Sequence, residues 1–89
     1  MRAPETNVDA GALALQALVW TLGDPDRAQR LIDTTGLFPA DLRARAGEAS
    51  VLAAVLGFLE AYEPDLIACA ADLEVKPEAI VHAREALEA

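Results

Sequence analysis

The chain states one structural plan twice. Ala17-Leu18-Val19-Trp20 leads through Asp24-Pro25-Asp26 to Gly36-Leu37-Phe38-Pro39-Ala40-Asp41-Leu42. About thirty-eight residues later, Val55-Leu56-Gly57-Phe58 leads through Glu63-Pro64-Asp65 to Glu74-Val75-Lys76-Pro77-Glu78-Ala79-Ile80. Each unit reads as a long helix, a tight turn, a middle helix, a Pro turn and a short helix. The repeat spans about 12–46 and 50–87, with 1–7 as a flexible lead-in. Eighty-nine residues make one domain. No linker between the units exceeds a few residues, so 1–89 is expected to form one compact all-α bundle of about six helices, pseudo-duplicated from three-helix units.

Local signals place the helices. The first is predicted from about Val8 to Leu22, with Thr6 or Asn7 as its cap and Gly23 as its end. Leu15, Leu18, Val19 and Leu22 share one face of it, and Leu13, Ala17 and Trp20 share the opposite one. A helix apolar on both sides is either central or half in an oligomer contact. Asp24-Pro25-Asp26 opens the second helix, with Asp24 as cap and Asp26 at the positive dipole end. Ala28, Leu31 and Ile32 are its inner stripe, and Gly36 stops it. Pro39 starts a short third helix carrying Leu42. The fourth runs over roughly Ala49–Tyr62, with Val51, Leu52, Val55, Leu56, Phe58 and Leu59 on one face. Ala53, Ala54, Gly57 and Ala61 lie on the other, so both sides are expected to pack. Glu63-Pro64-Asp65 starts the fifth, with Leu66, Ile67, Ala70 and Leu73 inward. Pro77-Glu78 starts the sixth, with Ile80, Ala83 and Leu87 inward.

Composition agrees with helices. Hydrophobic residues make up 54% of the chain, much of it Ala and Leu, whereas aromatics are only 4%. Net charge is −8. Residues 24–45 balance four Asp against four Arg, and residues 46–89 set nine acids against Lys76 and Arg84. The second half is therefore an acidic body that repels phosphate backbones. Cys69 is alone, which rules out an internal disulfide and points to a reducing cytoplasm. The apolar stretches 12–22 and 51–59 are shorter than the roughly 20 residues of a membrane span.

Several blocks resemble a known family. They are Leu13-Ala14-Leu15-Gln16-Ala17-Leu18, the Asp24-Pro25 turn, Thr35-Gly36-Leu37-x-Pro39-x-Asp41-Leu42-Arg43, Val51-Leu52-Ala53-Ala54-Val55-Leu56-x-Phe58-Leu59 and Pro77-x-x-Ile80-x-x-Ala83-Arg84. From about Gly11 to Leu87 the chain resembles the small alphaproteobacterial proteins grouped as domain of unknown function 3572. The resemblance implies a stand-alone bacterial helical protein and carries no activity or site residue. It also implies a departure. Relatives tend to show Gly where this chain has Glu74, so a less tight turn is expected there.

No constellation for catalysis stands out. His82 is the only histidine, and a solvated helix surface is its expected place. A general base needs an orienting acid and a target, and a metal site needs several ligands at suitable spacing. Cys69 has no base or cation near it in sequence and reads as a small buried hydrophobe. Asp24, Asp26, Glu63, Asp65 and Glu78 sit at helix starts, where capping explains them. There is no Gly-rich phosphate loop, Ser elbow or CxxC. No catalytic, cofactor or metal residue is assigned.

What remains is recognition. Trp20, with Leu13 and Ala17 beside it, would form half of a homodimer contact if not a core anchor. Phe38, before Pro39, either staples its turn or meets a partner. Residues 28–47 and 66–85 both fit a helix-turn-helix outline. In the second, the candidate reading helix at 77–88 carries Glu78, Glu85 and Glu88 against Arg84, the wrong sign for DNA. In the first, Arg43 and Arg45 are the available cations, although Ile32 is bulky where the motif wants a small residue. The expectation is a cytoplasmic, non-enzymatic protein that contacts another protein through Leu13, Ala17, Trp20, Phe38, Arg43 and Arg45. The alternative is a nucleic-acid reader acting through 28–47, against which the overall charge argues.

Overall fold

A computed structural model describes residues 9–89. They form six helices: α1 (Ala10–Leu22), α2 (Pro25–Thr35), α3 (Pro39–Ala44), α4 (Ala49–Glu60), α5 (Glu63–Leu73) and α6 (Pro77–Glu88). The cap of α1 is Asp9, whose carboxylate accepts from the Gly11 N–H at 2.9 Å. The earlier start expected at Val8, and its caps Thr6 and Asn7, lie outside the described residues. Asp24 caps α2 as the sequence predicts, accepting from the Arg27 N–H at 3.0 Å.

α1 and α4 pack together at the centre, and α2 and α5 flank them. The duplication extends to burial. Leu13 and Val51, Ala14 and Leu52, Ala17 and Val55, Leu18 and Leu56, Leu31 and Cys69, and Leu42 and Ile80 all stand 38 residues apart, and every one is buried. Cys69 is thus the second unit's version of a core leucine. Each fully buried leucine stabilises the fold by about 1.5–3 kcal/mol relative to exposure.

The third helices break the symmetry. α6 lies against both α1 and α4, along the side of α4 that carries Ala53 and Gly57. Glu60 on that side accepts from the Arg84 Nε–H of α6. α3 makes no comparable contact with α1 or α4, and only Leu42 anchors it in the core. The expected double-sided packing of α4 therefore holds at Ala53 and Gly57, whereas Ala54 and Ala61 are exposed. Ile67, expected inward, is exposed on α5.

The two middle helices end alike. Gly36 has φ 75° and Glu74 has φ 60°, both in the left-handed region. The Val75 N–H donates to the Ala70 carbonyl at 2.9 Å, which closes the turn after α5 tightly. The looser turn expected from Glu74 is not found. The side chain is carried instead in a conformation that L-residues adopt at a penalty of about 1–2 kcal/mol. Glu74→Gly is expected to raise stability by about 0.5–1 kcal/mol, after the flexibility glycine adds to the unfolded chain. Gly36→Ala is expected to lower it by a similar amount, although a Cβ there would meet nothing within 4 Å. Urea melts of the two variants check the opposite signs.

Candidate functional site

α1 carries apolar residues on every side and has no charged residue. At one hundred degrees per residue, its faces sort cleanly. Leu13, Ala14, Ala17, Leu18 and Thr21 turn inward and are buried. The Thr21 hydroxyl donates back to the Ala17 carbonyl at 2.8 Å, which satisfies the one polar group on that side. Ala12, Leu15, Gln16 and Val19 turn outward and are exposed, Leu15 by 41% and Val19 by 70%. This reverses part of the sequence-based assignment. The sequence puts Leu13 and Ala17 on a partner face, but they are core, because α4 and α6 cover that side of α1.

Trp20 lies at the border of the two faces and is partly buried. Its indole N–H donates to the Asp72 carboxylate at 2.6 Å. The Arg27 guanidinium stacks on the ring, 3.7 Å from its centroid. Arg27 Nε is buried with no hydrogen-bond acceptor among the described residues, and Asp24 Oδ2 is 4.0 Å away. These contacts from α2 and α5 hold the indole as a fixed wall. Leu15, Gln16, Val19, Trp20 and Leu73 then line a shallow, almost wholly apolar groove of about 400 Å³.

A second groove of about 620 Å³ lies between α2 and the end of α4, lined by Asp26, Arg30, Asp33, Phe58 and Tyr62 among others. Its cation is already engaged. Arg30 Nη1 donates to Asp65 at 2.8 Å and sits 5.1 Å from the Tyr62 ring centroid. Asp65, expected as an outer helix-start acid, is buried, and its ion pair ties α2 to α5 across the two units.

The remaining candidates stay apart. Phe38 is 64% exposed, so it does not staple its turn; Asp41 closes that turn by accepting from the Phe38 N–H at 3.2 Å. Arg43 is exposed. Arg45 pairs with Glu48 at 3.0 Å, and Arg84 pairs with both Glu60 and Glu88. The hydrogen bonds that Arg30, Arg45 and Arg84 donate to Asp65, Glu48 and Glu60 respectively raise each guanidinium above its ordinary value, so all three stay cationic. His82 is exposed on α6 and lines neither groove. Among the described residues, no group of three or more His, Cys, Asp or Glu is placed to hold a metal ion. None of the described helices is long and apolar enough to cross a membrane.

Burial pushes the Cys69 thiol up to about 11, and the nearby Asp72 carboxylate adds to the shift. A thiol so placed is a poor nucleophile at neutral pH. Native protein at pH 8 is expected to react with iodoacetamide at least about a hundredfold more slowly than urea-unfolded protein. The stability gained from keeping this thiol neutral is complete below about 9 and is lost as pH climbs through about 11. Comparable labelling rates in both states would show Cys69 to be accessible.

The family model described as protein of unknown function DUF3572 matches residues 7–89. The chain belongs to that family. Neither curated proteins nor solved structures supply a match. The match covers the stretch from Gly11 to Leu87 in which the quoted motifs lie, and both grooves fall within it.

Proposed function

We propose that this protein acts by binding another protein chain through the outer face of α1, without catalysing a reaction. One observation carries the reading: Leu15 and Val19 are exposed on a charge-free helix, beside an indole that three other side chains fix or flank. Large apolar residues gathered around a rigid aromatic are what contact surfaces use, because little side-chain freedom is left to lose on binding. The free, buried Cys69 suits a reducing compartment, and we place the protein in a bacterial cytoplasm.

The nucleic-acid alternative has less to stand on. α3, its reading helix, has six residues and is about 9 Å long. Of the cations in 28–47, Arg30 and Arg45 are held by carboxylates, which leaves few charges to neutralise a phosphate backbone. No mobility shift of duplex DNA is expected even at about 50 mM salt, where electrostatic binding is strong.

The test of the interaction reading is site-specific photocrosslinking in living cells. A photoreactive residue at Val19 should give a discrete higher-mass adduct that Leu15→Glu abolishes. The same residue at Glu85, on the exposed side of α6, should not. Equal yields at the two positions, or none at Val19, would remove the α1 face from the function.

A further inference from the structure

We infer that the outer face of α1 is covered by the same face of a second copy of this chain, packed antiparallel about a two-fold axis. The inference rests on the interaction reading above and names its partner.

The repeat shows what kind of body belongs there. Leu15 and Val19 correspond, 38 residues on, to Ala53 and Gly57 of α4. In the second unit that side is closed: Ala53 is buried, and the Arg84 side chain of α6 lies over Gly57. In the first unit α3 is too short and too far removed to do the same. The uncovered surface on α1 is therefore the counterpart of a seat that a helix already fills elsewhere in the fold. An occupant must be a helix with an apolar face.

Charge selects which helix. The chain carries −8 overall, yet no charged residue lies between Asp9 and Asp24. A basic partner would find no ionic counterpart on α1 itself. Two acidic copies, by contrast, can meet here with their carboxylates confined to the rim, at Asp9, Asp24 and Asp72. The face also complements itself. It carries a projecting side chain, Val19, which forms one edge of the groove that Leu15, Gln16, Trp20 and Leu73 complete. Its ends are small, at Ala12 and Gly23. An antiparallel pair centred between Ala17 and Leu18 sets Ala12 against the partner copy's Gly23 position and Leu15 against its Trp20 position. It also sets Val19 against the partner copy's Gln16 position, so one operation covers both grooves, as an isologous contact requires. α1 is about 20 Å long, so this is a small interface of the weak, reversible class.

The experiment is sedimentation equilibrium on the purified chain, with Val19→Glu and Ala12→Glu compared under identical conditions. Wild type is expected to dimerise with a dissociation constant on the order of tens of micromolar. Each variant should weaken the dimer about tenfold or more: Val19→Glu puts a carboxylate into the apolar contact near its own symmetry copy, and Ala12→Glu puts one against the partner copy's Gly23 position, beside Asp24. Both sites are exposed, and circular dichroism checks that each variant keeps its helices. Raising salt from about 0.05 to 0.5 M should tighten the dimer by screening its net charge. A monomer at about 1 mM, a dimer untouched by both variants, or one weakened by salt overturns the second-copy assignment. A monomer that still gives the Val19 adduct in cells, at a mass other than twice that of the chain, overturns this inference alone and leaves the interaction reading standing.

Discussion

Leu13→Ala should lower the free energy of unfolding by about 3 kcal/mol, and Leu15→Ala by less than about 1 kcal/mol. The two leucines are two positions apart on one helix, and sequence alone does not rank them. Leu13 is 1% exposed and Leu15 is 41% exposed. Truncating Leu13 removes its transfer free energy and leaves a void among α1, α4 and α6 that close-packed neighbours refill only in part. Leu15 already faces water, so its truncation leaves no void. For a domain of this size, about 3 kcal/mol corresponds to a fall in Tm of roughly 12–24 °C. Thermal and urea melts at low micromolar concentration, where self-association does not contribute, check the contrast. Equal losses, or a larger one for Leu15→Ala, would mean that α1 is rotated by about half a turn. The interaction face would then have to be redrawn around Leu13 and Ala17.

The orientation of α1 was the hardest thing to read from sequence, and the reason is physical. Periodicity orients a helix only when polar residues mark the outside. α1 has Gln16 and Thr21 as its only polar side chains, and Thr21 is on the buried side. The helices themselves were legible because their ends are chemically marked: Asp24 before Pro25, Gly36 after Thr35, Pro39 and Pro77 at first turns. Burial was legible wherever the repeat was regular, as at Leu31 and Cys69. Contacts between distant residues were not. The pairs Arg30 with Asp65 and Trp20 with Asp72 are 35 and 52 residues apart, and no local pattern announces either. Asp65 in particular carries the signature of a capping acid while serving as a buried ion-pair partner. The apolar groove depends on this second kind of contact, since it needs Leu73 of α5 beside α1.

The unequal third helices lead to the second large effect. Leu42→Ala should lower stability by about 2–3 kcal/mol and should release α3 from the fold. Leu42 and Ile80 are both fully buried, and the repeat makes them equivalent. Their neighbours are not equivalent. After Ile80, α6 continues its inner stripe through Ala83 and Leu87, which the repeat matches to Arg45 and Ala49. Arg45 turns outward to Glu48, so α3 has a single anchor where α6 has several. When one side chain holds an element, its loss is capped by the free energy of detaching that element. The cavity is relieved by local opening and leaves the rest of the bundle intact. Ile80→Ala has no such relief, because α6 packs against both α1 and α4. It should cost about 3–5 kcal/mol and appear as global unfolding. Amide hydrogen exchange separates the two cases. In Leu42→Ala, protection should fall at Leu42 and Arg45, whose N–H groups donate to Phe38 and Asp41, while α4 and α6 keep theirs. Exchange in Leu42→Ala that rises uniformly along the chain would show α3 to be as integral as α6, and the asymmetry that leaves the α1 face uncovered would lose its basis.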